Sequence, residues 1–182
     1  MKTFVIKQKH LDSDNFYIGK EDLTNFQGHI ESDENLGYVR FKTTLSASGY
    51  IYFKEGSGIE AGAGIEAGHG ITAGWGITAG YGIEAGEGIE AGEGIEAGAG
   101  IEAGEGIVCK HILDVKLRIF AGLCLWKNPT QDELKIECGK LKHGDVCFGN
   151  LVEIGLPEEN KTLSGKKVTV TIENETYTAT ID

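Results

Sequence analysis

The sequence predicts an all-β protein: a parallel β-solenoid built from hexapeptide repeats, with small capping elements and a C-terminal β-hairpin. Eight consecutive hexads of the form Ile-(Glu/Thr)-Ala-Gly-x-Gly run without interruption from residue 59 to residue 106. Two glycines in every six positions exclude a helix. The same pattern returns in degraded form on both sides of the perfect repeats, which is typical of stacked, nearly identical units.

Each hexad predicts a short strand followed by a corner. Its Ile and Ala are two positions apart, so in an extended backbone they share one face and the Glu or Thr between them faces the other way. We expect Ile and Ala inside and Glu or Thr outside. The Gly-x-Gly that follows is predicted to form the corner, because glycine reaches positive φ without steric cost. Coils must stack at about 4.8 Å to bury the Ile, and the pattern leaves open whether two or three hexads make one coil.

Degraded hexads set the predicted boundaries of the solenoid. They are Leu45-Ser46-Ala47, Ile51-Tyr52-Phe53, Ile107-Val108-Cys109, Ile119-Phe120-Ala121-Gly122, Ile136-Glu137-Cys138-Gly139 and Val146-Cys147-Phe148-Gly149. Two earlier segments, Ile30-Glu31-Ser32 and Val39-Arg40-Phe41, are either worn coils or part of a cap. The sequence therefore predicts a β-rich cap at 1–44, a solenoid at 45–155 and a hairpin cap at 156–182.

The region after Ile107 is predicted to leave the strict hexad pattern. Alternating Val115, Leu117 and Ile119 indicate a longer strand. Asn128-Pro129 breaks the chain, and the segment Thr130–Glu133 resembles a capping box for one helical turn. We interpret this part as an excursion from the solenoid.

The C-terminal tail alternates in the manner of a β-hairpin. Val168–Ile172 and Tyr177–Ile181 flank a turn at Asn174-Glu175, as expected for two antiparallel strands. An exposed solenoid edge invites aggregation. We therefore expect the hairpin to cover the open end.

Charge is concentrated in the repeats. The net charge is −11, and residues 59–106 carry nine Glu and no Asp, Lys or Arg. Such acidity disfavours strong direct nucleic-acid binding and suits a basic partner. We expect the carboxylates to form rows along the solenoid axis. Six occupy the outward strand position, namely Glu60, Glu66, Glu84, Glu90, Glu96 and Glu102, and three occupy the bend, namely Glu87, Glu93 and Glu105.

Trp75 and Tyr81 replace the small or acidic bend residue of most hexads. Exposed aromatic residues are common anchors of protein interfaces, so both are candidate partner-binding residues beside the nine glutamates. The alternative is that they pack on neighbouring bends or on the N-terminal region. For the glutamates, the alternative to a phosphate-mimicking surface is a solubilising residue copied with the repeat unit.

Catalysis and cofactor binding are not predicted. The acyltransferases built from hexapeptide repeats prefer a small residue two positions before the aliphatic one, where this chain has residues such as His69, Trp75 and Tyr81. His69 alone is weak evidence for a general base. The glycine spacing matches neither a dinucleotide fingerprint nor a P-loop. The prediction is therefore a non-enzymatic protein without cofactor or metal, and the alternatives are a structural or adhesive repeat protein and, less favoured, an acyltransferase.

The N-terminus lacks the apolar run of a signal peptide, and no segment is long and apolar enough to span a membrane. The four cysteines form no Cys-x-x-Cys pair, which favours reduced thiols over disulfides or zinc ligation. Their positions are Cys109, Cys124, Cys138 and Cys147. These features predict a cytoplasmic protein. Dimerisation through the solenoid ends is left open.

The repeats, together with two tail segments, resemble a known class of protein. The segments are Arg118-Ile119-Phe120-Ala121-Gly122-Leu123 and Val146-Cys147-Phe148-Gly149-Asn150-Leu151-Val152. The chain resembles type II-A anti-CRISPR proteins of gut Firmicutes mobile elements, which inhibit Cas9. This resemblance implies a phage or mobile-element protein that acts inside the bacterial host cell on the Cas9 and guide-RNA complex. An acidic rod would compete for the positively charged nucleic-acid channel of that complex.

Overall fold

The computed structural model describes residues 1–124, 127–157, 167–172 and 175–180. It shows a parallel β-solenoid of about seven turns, which confirms the predicted fold class. The one helical element assigned in the described residues is a 3-10 turn at Gln8–His10. The same residues contain no helix long and apolar enough to cross a membrane.

Three hexads make one coil. Ile65, Ile83 and Ile101 are register partners on neighbouring parallel strands, each 18 residues after the last. Ile77 and Ile95 repeat the relationship on another side. The solenoid is therefore a three-sided prism, and residues 18 apart in the repeats lie in one row along its axis.

The strands divide among three faces. The first face contains β1 (Lys2–Ile6), β2 (Gly28–Ser32), β5 (Ile51–Phe53), β8 (Ile71–Ala73), β11 (Ile89–Ala91), β14 (Ile107–Cys109), β16 (Lys135–Cys138) and β18 (Asn150–Glu153). The second contains β3 (Gly37–Phe41), β6 (Ser57–Ala61), β9 (Ile77–Ala79) and β12 (Ile95–Ala97). The third contains β4 (Leu45–Ala47), β7 (Ile65–Ala67), β10 (Ile83–Ala85) and β13 (Ile101–Ala103). Two long strands, β15 (Ile112–Ala121) and β17 (Lys140–Phe148), run across both the second and the third face.

The interior is built from the two apolar positions of each hexad. All eight repeat isoleucines are 0–1% exposed, and the repeat alanines are 0–7% exposed. Burying one isoleucine contributes about 1.5 to 3 kcal/mol before chain entropy is counted. The residue between Ile and Ala points outward in every hexad, as the two-residue period predicts.

The first glycine of each corner is required by close packing of the coils and not, as predicted, by a positive φ. None of the glycines between 59 and 106 has a positive φ. In the first glycine of each corner, such as Gly68 or Gly86, an added Cβ would collide with a backbone atom of the preceding coil. The second glycine has room at some corners only: at Gly64 the nearest atom to such a Cβ would be the Gly82 carbonyl oxygen at 3.5 Å, whereas at Gly94 it would be the Ile112 carbonyl oxygen at 2.7 Å. Close approach of stacked coils, not left-handed backbone, selects the first glycine.

The N-terminal region extends the stack. Ile30 pairs in register with Ile51, and Val39 pairs with Ile59, so the two early segments are worn coils. The chain between β1 and β2 covers the end of the prism, where its side chains Leu11, Leu23 and Phe26 are 8%, 4% and 3% exposed. Solenoid register thus begins before residue 45.

The C-terminal coils carry the predicted excursion. It lies between β15 and β16, and Thr130 and Glu133 make the reciprocal capping bonds, with the Thr130 N–H donating to Glu133 Oε2 at 2.8 Å.

Cys109 and Cys138 occupy the alanine position and are fully buried, whereas Cys147 is exposed, and all four cysteines are free thiols. Burial raises the pKa of the Cys109 thiol to about 12 and that of Cys138 to about 11.

The tail forms the predicted hairpin. Strand β19 (Lys167–Ile172) pairs antiparallel with β20 (Glu175–Thr180), so Glu175, predicted in the turn, is the first residue of β20 and pairs with Ile172. Asn174 and Ile181 lie outside the described residues. In the described part of the chain, the two strands form a sheet of their own and pair with no solenoid strand. Coverage of the open end by this hairpin stays a prediction.

Candidate partner-binding surface

One row of carboxylates lies on the third face. Glu66, Glu84 and Glu102 are the outward residues of β7, β10 and β13 and are direct register partners. All three are exposed. We call this row the acidic ladder. Parallel strands lie about 4.8 Å apart, so the ladder places three charges within about 10 Å.

Among the residues whose side chains the structure describes, none of the three glutamates makes an ion pair. Two like charges about 5 Å apart repel by about 1 kcal/mol in water, and salt weakens this. A cationic partner lying along the row would relieve the repulsion.

A groove of about 350 Å³ runs beside the acidic ladder. Its walls include Tyr81, Arg118 and Phe120 in addition to the three ladder glutamates. Tyr81 stands at the corner between the second and third faces and is 68% exposed. The groove thus combines carboxylates with aromatic surface, an arrangement that suits the charged head and apolar stem of Lys or Arg side chains.

The remaining strand glutamates do not extend the ladder. On the second face, Glu60 binds Arg40, with Nε to Oε2 at 3.0 Å. On the first face, Glu90 lies between Thr72 and Val108. The expectation that all strand glutamates form acidic rows was wrong for these positions, because an 18-residue period assigns successive hexads to different faces.

Glu96 has one acidic neighbour, but that neighbour is neutralised. It pairs in register with Asp114, whose carboxylate binds Lys142 at 2.7 Å and His143 at 2.9 Å. The pKa of the Asp114 carboxyl is lowered mainly by the hydrogen bond from Lys142 and to a smaller extent by the one from His143. This acidic patch therefore has a cation of its own, Lys142.

The bend glutamates also have partners. Glu87 contacts the His69 ring, with Nδ1 to Oε1 at 3.0 Å. Glu105 accepts a bond from Lys127 at 2.7 Å. Glu93 accepts a hydrogen bond from the Tyr38 hydroxyl at 2.9 Å. The pKa of Tyr38 is raised mainly by burial and to a smaller extent by this hydrogen bond. The bend positions therefore contribute less unpaired charge than the ladder.

Trp75 and Tyr81 lie on different corners and have different environments. The Trp75 ring is half-buried and packs on Tyr38, with the ring centroids 5.5 Å apart. This is the packing on the N-terminal region that the sequence left as the alternative. Tyr81 alone of the two borders the groove.

Two residues of the groove were missed by sequence reasoning. Phe120 follows Glu102 in the same row, as its register partner on β15. Arg118 brings a positive charge to the groove wall. The signal for Phe120 was present, because residues 66, 84, 102 and 120 are each 18 apart, but it could be used only once the coil length was known.

The described residues contain no cluster of three or more His, Cys, Asp or Glu side chains suited to a metal ion. His69 contacts Glu87 and lies edge-on to His29, with the ring centroids 6.3 Å apart. Nothing in these contacts adds to the weak case for a general base at this position. What the geometry offers is a charged and aromatic surface on one face of the prism.

Fold and surface together define a three-sided parallel β-solenoid, and its acidic ladder makes no ion pair with the side chains that the structure describes. Comparisons with protein-family models, with curated proteins and with solved structures find no match to this chain.

Proposed function

We propose that this chain is a non-catalytic binding protein that engages a basic surface of a nucleic-acid-binding protein through the third face of the solenoid. The observation that carries the proposal is the in-register row of Glu66, Glu84 and Glu102, exposed and without ion pairs in the described residues. Stability does not require acid at these positions, since Thr78 fills the equivalent outward position of β9.

The charge density of the ladder is of the same order as that of nucleic acid. One strand of a DNA duplex carries a charge about every 3.4 Å along the helix axis, and the ladder carries one about every 4.8 Å. The length differs, because three rungs span about 10 Å. The ladder therefore imitates a short stretch of one strand, enough to fill part of a basic groove.

The partner we propose is the Cas9 and guide-RNA complex, in agreement with the family resemblance of the repeats and tail. Its heteroduplex channel is lined with positive charge. Occupation of part of that channel by the third face would block DNA engagement or the rearrangement that precedes cleavage. The chain would then be a mobile-element inhibitor acting inside the bacterial host cell.

The test compares two triple variants in binding to Cas9 loaded with guide RNA. The first carries Glu66→Thr, Glu84→Thr and Glu102→Thr. The matched control carries Glu60→Thr, Glu90→Thr and Glu96→Thr, which changes the net charge by the same amount on the other two faces. We expect the ladder variant to bind about 10- to 100-fold more weakly, as the loss of three charge contacts predicts, and the control to bind much like the wild type.

Salt dependence provides the second readout. Raising the salt concentration from about 50 to about 200 mM should weaken binding of the wild type and the control steeply, and that of the ladder variant much less. Equal affinity of the wild type and the ladder variant would refute the proposal. Lack of any wild-type binding to the complex would remove Cas9 as the partner and favour a structural or adhesive role.

A further inference from the structure

The outward row of the third face changes in character along the solenoid axis. After Glu102 it continues with Phe120 on β15 and then with Phe148 on β17, and each residue is the register partner of the one before. Phe120 is half-buried and Phe148 is 43% exposed. The acidic ladder is therefore followed by two aromatic rings in the same row. At a spacing of about 4.8 Å between strands, the five positions span about 19 Å.

The corner beside this row carries apolar side chains of its own. Backbone hydrogen bonds connect Ala63, Tyr81, Ala99 and Leu117 from one coil to the next. Tyr81 and Leu117 are 68% and 60% exposed. Exposed apolar side chains thus flank the carboxylates on one side and follow them along the axis.

Charge changes sign along the groove between the corner and the row. Glu66, Glu84 and Glu102 line one part of it, and Arg118 lines the part that contains Phe120. A partner's cations are attracted to the first part and repelled from the second. The surface therefore fits a partner in which basic side chains precede apolar ones along the solenoid axis.

The strands in the middle of the third face are paired on both sides. β10 pairs with β7 and β13, and β13 pairs with β10 and β15. An extended segment gains affinity from main-chain hydrogen bonds at a sheet edge, and strands paired on both sides offer no such edge. An α-helix instead satisfies its backbone groups internally. A helix can therefore lie on this face without leaving backbone groups unpaired.

The spacing of the row also fits a helix that lies along the solenoid axis. Positions i, i+4, i+7, i+11 and i+14 share one face of a helix and lie at about 0, 6, 10.5, 16.5 and 21 Å along it. The five positions of the row lie at about 0, 5, 10, 14 and 19 Å. Flexible Lys and Arg side chains bridge differences of about 2 Å. Alternate residues of an extended strand, about 6.7 Å apart, would be about 8 Å out of register at the fifth position.

We propose that the third face binds a basic amphipathic α-helix of the partner, with three basic side chains over the acidic ladder and two apolar side chains over Phe120 and Phe148. The flank of this helix contacts Tyr81 and Leu117 at the corner. The inference rests on the proposed function for its binding face, and it adds the secondary structure and the side-chain order of the bound segment. A second copy of this chain is a poor occupant, because its net charge is −11 and its described residues contain no α-helix.

Synthetic peptides titrated against the full chain test the inference without Cas9. The first peptide is a helix former with lysines at i, i+4 and i+7 and leucines at i+11 and i+14. The second has the same composition, with the lysines and leucines distributed around the helix. The third is the first peptide with a central proline, which breaks the helix. We expect the first peptide to bind at least about tenfold more tightly than either of the others at low salt. Equal affinity of the three peptides, or no binding of the first, would overturn the proposal.

Two matched substitutions locate the bound peptide. Phe148→Thr removes an exposed ring from the row, and Tyr52→Thr removes a ring of similar exposure, 44%, from the first face. We expect Phe148→Thr to weaken binding of the first peptide about fivefold or more and Tyr52→Thr to leave it unchanged. The reverse result, or the same result from both variants, would place the helix on another surface and overturn the proposal.

The same peptides separate this inference from the identity of the partner. Preference for the first peptide together with no binding to guide-loaded Cas9 would support the helix and remove only Cas9. Ladder-dependent binding to Cas9 together with equal affinity for the three peptides would reject the helix and leave the proposed function standing.

Discussion

Glu102 and Phe120 are direct register partners on neighbouring strands of the third face. The acidic ladder therefore ends at an aromatic ring, and the groove beside it has Tyr81 and Phe120 as apolar walls. Charge and aromatic surface should contribute to binding in separable ways, because salt screens the first and not the second.

Tyr81→Ala should weaken partner binding about tenfold at every salt concentration, as removal of an aromatic anchor typically does. Because Tyr81 is 68% exposed, the free energy of unfolding should stay unchanged. Ala63 and Ala99 occupy the same corner row, so the substitution fits. Titration of the variant at two salt concentrations provides the measurement.

Trp75→Ala is the comparison for this prediction. Trp75 packs on Tyr38, away from the groove, so its loss should lower the melting temperature and leave the affinity for the partner unchanged. The opposite result, with an affinity loss for Trp75→Ala and none for Tyr81→Ala, would place the binding surface on a different corner.

The first glycine of one corner and the second glycine of the preceding corner should respond differently to alanine. Gly68→Ala places a Cβ against the Ser48 carbonyl oxygen of the preceding coil and should lower the free energy of unfolding by more than about 2 kcal/mol. Gly64→Ala meets ordinary van der Waals distances and should change it by less than about 1 kcal/mol. Urea denaturation of both variants measures the difference. Equal costs would mean that backbone conformation, not coil spacing, selects these glycines.

Acid should weaken the junction between β15 and β17. The pKa of Asp114 is lowered in the folded state by Lys142 and His143, so its contribution to stability is present above the ordinary aspartate pKa of about 3.9. That contribution is lost as the pH falls through the lower folded-state value. Asp114→Asn should lower the free energy of unfolding at neutral pH. It should also weaken the dependence of that free energy on pH in the acidic range. Denaturation curves recorded from about pH 7 to about pH 2 check it, and an unchanged profile would contradict the assignment.

Much of the fold could be predicted because the information is local. Ile and Ala at two-residue spacing define which side of each strand is buried, and the hairpin follows from alternation in the tail. Coil length could not be predicted, since two or three hexads per turn keep Ile65 in register with another isoleucine equally well. The candidate site depends on the number of hexads per coil. Only a period of 18 residues places Glu66 and Glu84 in one row. The same period places Glu60, Glu90 and Glu96 on the other two faces.

The contacts of individual side chains were also beyond the sequence. Tyr38 lies 55 residues from Glu93, whose carboxylate accepts its hydroxyl hydrogen, and no periodic signal connects the two positions. The packing of Tyr38 on Trp75 likewise depends on the N-terminal coil having joined the stack. The sequence could therefore identify Trp75 and Tyr81 as candidate anchors. It could not show that Trp75 is packed against Tyr38 and that Tyr81 is exposed.

The most direct test exchanges two residues without changing composition. The double variant Thr78→Glu with Glu84→Thr keeps the net charge of −11. It breaks the acidic ladder and moves one carboxylate to the second face, into the row between Glu60 and Glu96. We predict that this variant loses most of the affinity of the wild type for guide-loaded Cas9, measured at low salt. Wild-type affinity in the exchanged variant would show that total charge, and not its arrangement on the third face, determines binding.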